Sequence, residues 1–338
     1  MVRHDGVLTS MTTASAPAAP GAAPATATAG PRTAGPAATS AAAADATARR
    51  VAGPRVRRRG GVAWLGLTPF AAYVLLFLAV PAVIAVGSGF FDGSGRFTVA
   101  NLAAFADPSV LRAFGGSFAL SAVSAVIGAV IGAVVCWALA ALRPDGVVRS
   151  MIDSAASVLA QFGGVMLAFA FIATIGAQGL VTTWLVSAFH VDLNANGAFL
   201  YTVPGLVIPY VYFQVPLMVL TFMPALEGVK TQWGEAAATL GASRLTYWRR
   251  IGLPVLAPAF WGSLLLLFAN GFSSFATAAA LISQGGIVPL TIRTQLTSET
   301  IIGLQNVAGV LAFGMVVVMA VVMAGYSLLQ RRAARWQR

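Results

Sequence analysis

Six continuously apolar runs, at about 64–87, 117–142, 152–175, 203–226, 255–282 and 307–329, constrain this chain more than any other feature. Each is near or above the roughly 20 residues a helix needs to cross a bilayer, and each is bounded by Gly, Pro or charge. The runs lack the in-and-out alternation of barrel strands, so they predict an all-α membrane protein of six transmembrane helices. Only 9% of the residues are charged, against about a quarter in soluble domains, which excludes a water-soluble fold. The formal charge of +11 comes largely from arginines at the ends of runs, where membrane topology explains them without nucleic acid. Cys136, the one cysteine, lies inside the second run, so neither an internal disulfide nor a thiol metal cluster can form.

Residues 1–60 are Ala, Pro, Thr and Gly with a collar of Arg49, Arg50, Arg55, Arg57, Arg58 and Arg59, and they predict a disordered head. No apolar core follows the first charges, so the head does not read as a signal peptide, and Met11 offers a second start. The membrane domain is expected over 61–338. In the second run Gly128 and Gly132 have a spacing that lets helices approach closely, for which ordinary packing is the favoured reading. Pro204, Pro209 and Pro216 argue for a kinked fourth span. Phe97 to Phe105 suits a short interfacial element.

With six spans both termini share one side. The collar, Arg143, Arg149, Lys230, Arg244, Arg249, Arg250 and the four C-terminal arginines put sixteen basic residues there, against Arg96, Arg112 and Arg293 opposite. By the positive-inside rule the termini and the loop between spans four and five are cytoplasmic.

That loop, 227–254, is a polar and basic island. Val229, Trp233, Ala236, Ala237 and Leu240 recur at helical spacing as one apolar stripe, with Lys230, Gln232 and Glu235 away from it. Gly241 breaks this amphipathic helix, Ser243 suits the N-cap of a second short one, and Pro254 opens span five. Composition alone allows a plain solvated loop whose arginines fix topology. A compact helix, corner and helix also suits docking into a groove of another protein.

Glu235-Ala236-Ala237, three residues, Gly241, nine residues, then Ile251-Gly252-Leu253-Pro254 has the pattern EAA-x3-G-x9-I-x-L-P without a gap. Seven identities at background frequencies of about a tenth make a chance match on the order of one in ten thousand or rarer. The chain resembles the inner-membrane permease subunit of binding-protein-dependent ABC importers over about 64–336. The resemblance implies the type I permease fold of those importers. Its coupling helices would dock in a cleft of a cytoplasmic ATPase, with Glu235 as the acidic contact. Ala236 and Ala237 would be the close-packing face, Gly241 the corner, and Ile251, Leu253 and Pro254 the joint to span five. It further implies an ATPase dimer carrying ATP and Mg, a second permease subunit, likened to a paralogue, an external solute-binding protein, and a bacterial cell (inner) membrane location. Leu240-Gly241 and the stretch LLLLFANGFSSFATAAALI look like the branch that moves polyamines and small ions, except that Ser274 stands where an acidic residue is common. Polyamine (spermidine or putrescine) is the preferred solute, with sulfate, iron, thiamine and phosphonate as alternatives.

No phosphate-binding G-x-x-x-x-G-K-[ST] sequence occurs, so ATP hydrolysis is expected in a partner and this chain is read as a transporter subunit, not an enzyme, with no cofactor or metal of its own. His4 and His190 have no Cys or His at ligand spacing. The span interiors offer neutral groups, Gln161, Gln214, Asn270, Ser273, Ser274 and Thr277, as candidates for a translocation path, with interhelical hydrogen bonding as their other role. A secondary carrier or channel acting without an ATPase is the alternative, disfavoured because such carriers place ionisable residues at mid-membrane.

Overall fold

The computed structural model describes residues 60–143, 145–191, 194–195, 197–282, 285–297 and 304–333. The expected head, its arginine collar and the last arginines, Arg335 and Arg338, lie outside the described residues. The chain forms two units, Met1–Leu67 and Thr68–Arg338; of the first, only the helical residues from Gly60 onward are described. Among the described residues six helical stretches are long and apolar enough to cross a membrane, as the six apolar runs predict.

The first span begins as α1 (Gly60–Val74), loosens for one wide turn over Leu75–Ala79, and continues as α2 (Val80–Gly87). The Val80 N–H donates to the Leu75 carbonyl, five residues back. Pro81 explains the widening: its ring crowds the carbonyl four residues before it and it has no N–H to give, so the helix takes up one extra residue. Beyond α2, Asp92 accepts from the backbone N–H of Ser94 and Arg96, each at 2.9 Å, and from the Ser94 hydroxyl at 2.6 Å, which closes a polar turn. The Ser94 hydroxyl bond, followed by the Arg96 N–H, holds the Asp92 carboxyl below its ordinary value of 3.8. The interfacial element expected near Phe97 is a run of 3-10 turns over Ala100–Ala106.

The longest helix, α3 (Pro108–Ala140), starts where Asp107 accepts from the Ser109 N–H at 2.7 Å and Pro108 occupies the first helical position. It packs against α7 (Val207–Glu227) and α10 (Leu253–Ser273), and Ala125, Ala129, Cys136, Met218, Phe222, Leu267 and Phe272 form the core between them. The glycine pair works as the spacing predicts. A Cβ on Gly128 would lie 2.8 Å from the Gln214 Cβ, and one on Gly132 only 2.5 Å from the Met218 Cβ, so α7 can sit this close only because both side chains are hydrogen. Of the prolines expected to kink span four, Pro204 precedes α7 and Pro209 falls in its first turn, while Pro216 lies inside.

Two spans differ from expectation. The third, expected as one helix over 152–175, breaks at Phe162 and Gly163 between α4 (Val147–Gln161) and α5 (Gly164–Ile175), and the stretch long and apolar enough to span lies further on, at Gly164–Phe189, where a corner at 176–179 joins α5 to α6 (Leu180–Phe189). Gly164, the first residue of α5, has φ +71°, a left-handed conformation that favours glycine and turns the chain between the two helices. The fifth, expected over 255–282, leaves helical geometry at Ser274 and resumes as α11 (Ala276–Leu281). The two breaks meet: the Thr277 hydroxyl donates to the Gly164 carbonyl at 3.1 Å, and the Tyr210 hydroxyl donates to the Ser274 carbonyl at 3.0 Å. Irregular backbone at membrane depth is tolerated where protein groups satisfy it in this way. The polar connection that follows carries α12 (Val288–Thr297), and the sixth span is α13 (Leu304–Ala333).

Candidate functional site

The island folds as α8 (Thr231–Thr239), a glycine corner, and α9 (Arg244–Tyr247). At the corner the Ala242 N–H donates to the Ala237 carbonyl and the Gly241 N–H to the Ala238 carbonyl, both at 2.9 Å. This paired closure needs a left-handed residue, and Gly241 supplies it with φ +79°. Ser243 caps α9 as expected, accepting from the Thr246 N–H at 3.2 Å. From Arg244 the chain stays helical for 30 residues to Ser273, so the second arm of the island is the start of span five and not a separate element. Within it lies a second wide turn, Trp248–Gly252, where the Leu253 N–H donates to the Trp248 carbonyl just ahead of Pro254. The proline explains it as Pro81 explains the first.

The apolar stripe needs a correction at its far end. Val229 and Trp233 are half-buried and Ala237 is buried, but Ala236 is exposed and Leu240 is 88% exposed. Leu240 ends α8, so its side chain projects past the last turn with no following turn to cover it. Together with Trp233, Ala236, Ala237, Ile251 and Val255 it lines an open apolar groove between α8 and the start of span five. Glu235 is exposed and faces the other way, into an open cleft of about 970 Å³ shared with Lys230, Arg244 and Tyr247. Leu253 and Pro254 are exposed at the joint.

Sequence reasoning missed two features here. Arg149, counted only as a topological charge, is buried at the base of the cleft and pairs with Glu227, the last residue of α7, and with Asp153 at 3.7 Å. The Asp153 spacing, four residues on in a helix, was a signal; the Glu227 partner, 78 residues away, left none. The second is Gly252, where a Cβ would run into the Trp248 ring.

The proposed path residues divide into two groups. Gln214 and Thr277 are fully buried; Gln214 Nε2 donates to the Ser124 hydroxyl at 3.0 Å, while its Oε1 has no partner among the described residues. Gln161, Asn270 and Ser273 are exposed and Ser274 is half-buried. Gln161 ends the helix before the first break; Asn270, Ser273 and Ser274 lie just before or at the second, so exposed polar groups gather around the joined breaks.

The fold matches the crystal structure of a bacterial ABC transporter involved in the import of the acidic polysaccharide alginate, with a TM-score of 0.61 at 16% identity, over 80% of this chain and 95% of that one. Residues 184–338, just under half of the chain, match the family described as "Binding-protein-dependent transport system inner membrane component". That stretch holds the island and the last three spans. The chain is also similar to the sulfate transport system permease protein CysT of Salmonella typhimurium (26% identity, covering 57% of this chain and 64% of that one). To the CysW counterpart of Synechocystis it is 25% identical, covering 73% of this chain and 84% of that one. Against CysT the chain thus spans somewhat less than two thirds of the relative's length.

Proposed function

We propose that this protein is the membrane-spanning permease subunit of an ATP-driven importer, and that its island couples an ATPase to the spans. The observation that carries this reading is the continuity of helix from Arg244, in the island, to Ser273, at the break in span five. A push on the corner moves the backbone at the break without passing through a flexible loop. Glu235 and the groove around Leu240 would meet the ATPase, Gly241 would hold the corner, and Ile251, Leu253 and Pro254 would transmit the motion. A partner ATPase dimer supplies the ATP and Mg, a second permease completes the path, and an external binding protein delivers the solute. The termini and the island lie in the cytoplasm, by the distribution of arginines. Alternating access then follows from ATP-driven closure of the paired islands, with the exposed groups at the joined breaks lining the path.

For the solute, the relatives favour a tetrahedral oxyanion of the sulfate kind, which the sequence reading held only as an alternative. The two relatives above are named for sulfate transport. The polyamine preference rested on Leu240-Gly241 and the span-five segment, and it finds no support in those names; Ser274, in place of an acid, also removes a natural partner for a cationic solute.

Deleting 235–241 is the test of coupling. The shortened chain should insert but no longer co-purify with the ATPase; retained co-purification would remove the assignment. Uptake of labelled sulfate by the assembled transporter, compared with labelled spermidine, decides the solute.

A further inference from the structure

A cleft of about 440 Å³ lies at the opposite end of α3 from the island, between the first turns of that helix and α12. Its walls include Arg112, Gln295, Thr291, Thr294 and Gly286, and no carboxylate is among the described residues that line it. Two close contacts build the wall. The Val288 N–H donates to the Ser117 hydroxyl at 2.8 Å, and Gly116 packs against the Gly286 carbonyl so tightly that a Cβ has no room. Arg112 is tethered by one bond, from its Nε to the Pro108 carbonyl at 3.1 Å, and its terminal nitrogens have no partner among the described residues. The Thr291 and Thr294 hydroxyls donate back to their own helix, at 3.1 Å and 3.0 Å, and the Ser109 side chain bonds to Asp107, which leaves Arg112 and the Gln295 amide as the side-chain donors of the described lining. Among the described residues the nearby opposing group is Asp107, whose carboxyl is held low by its bonds to Ser109 and also by the Arg112 charge; it is committed to capping α3.

We infer that this cleft binds a small oxyanion at the outer mouth of the path, with Arg112 as the charged ligand and Gln295 as the neutral one. A planar guanidinium tethered through Nε keeps two parallel N–H groups for a bidentate oxyanion contact. The volume is at the lower end of small-ligand pockets, which fits a small anion with part of its water. This rests on the oxyanion reading of the importer, and it adds a site on the permease itself where the solute pauses on leaving its binding protein.

Sulfate is the probe, and the opposite signs of two variants are the signature. In equilibrium dialysis of the purified full chain, Arg112→Ala should weaken sulfate binding by about tenfold or more, the loss of a charged hydrogen-bonded contact. Arg112→Lys should fall between. Asp107→Asn, which keeps an N-cap and removes the opposing charge, should tighten binding. In the assembled transporter in proteoliposomes, Arg112→Ala should raise the half-saturating sulfate concentration while ATPase stimulation by the loaded binding protein persists. Equal sulfate binding by wild type and Arg112→Ala, or none by either, overturns the inference. Loss of ATPase stimulation together with uptake also overturns it, because the cleft would then be a docking surface for the binding protein. If Arg112→Ala fails to insert, Arg112→Lys and Gln295→Ala carry the same comparison. Wild-type assemblies that move no sulfate, from chains that bind it through Arg112, would leave the cleft standing and remove the importer's substrate.

Discussion

Two residues make opposite kinds of demand on their surroundings. Gly241 has nothing within 4 Å of where a Cβ would sit, so Gly241→Ala meets no clash and its whole cost is the left-handed backbone, about 1 kcal/mol. We expect a small fall in the melting temperature of the purified chain and a larger loss of ATPase co-purification, because the corner sets the angle between its arms. Gln214 is the reverse case, a buried amide whose Oε1 has no partner among the described residues. Replacing it with Leu removes the orphan acceptor, and the Ser124 hydroxyl keeps its bond to the Leu120 carbonyl, so thermal stability should hold or rise. A loss of uptake at unchanged stability would make Gln214 part of the path; unchanged uptake assigns it to packing. The glycine corner and the Ser243 cap were legible because their signals are local. The exposure of Leu240 was not, because helical spacing counts it into the stripe although the helix ends beneath it. The Glu227 partner of Arg149 comes from another span, and no single-sequence pattern joins them.

Among the elements, the two wide turns share one cause. Each ends in an N–H that reaches five residues back, and each is followed at once by proline. Pro254→Ala would restore a donor and let the turn tighten, with a gain in stability well short of the ~3 kcal/mol that an interior proline can cost, since the wide turn already relieves most of it. The expected signature is a more heat-resistant protein that couples less well, read as ATPase activity per solute moved. The Arg149–Glu227 pair ties α4 to the foot of the island. Arg149 is buried but half of the Glu227 side chain is exposed, so breaking the pair should cost about 1–2 kcal/mol, below the figure for fully buried pairs. A double-mutant cycle with Arg149→Ala and Glu227→Ala, read as thermal stability at low and high salt, measures it. The Asp92 turn predicts a pH response. Its carboxyl is held low in the fold, so its contribution is complete above the ordinary value of 3.8 and is lost as pH falls through the lowered one; the protection of amides 92–96, taken relative to their intrinsic exchange rate at each pH, should be constant from pH 5 to 8 and should fall in stronger acid. The breaks at Gly163-Gly164 and Ser273-Ser274 were not legible, because glycine and serine are common in unbroken membrane helices, and only the contact between the breaks gives them meaning.

At the scale of the whole molecule, six spans and one insert follow from hydrophobic runs and a motif, signals that survive without tertiary information. Cargo is another matter, because path residues come from several spans and their identity depends on which faces meet a second permease. If the coupling reading holds, vesicles containing the full assembly should take up sulfate only with ATP, and vesicles with this chain alone should take up none. One further consequence follows from Leu240. A leucine held 88% open to water is comfortable only once something covers it. A chain made in excess of its partners therefore carries a visible mark of being alone, of the sort chaperones and proteases recognise. The tip that would transmit force in the finished transporter would, before assembly, set how many surplus copies the cell keeps. Leu240→Ser should lengthen the lifetime of the orphan chain while weakening its capture by the ATPase.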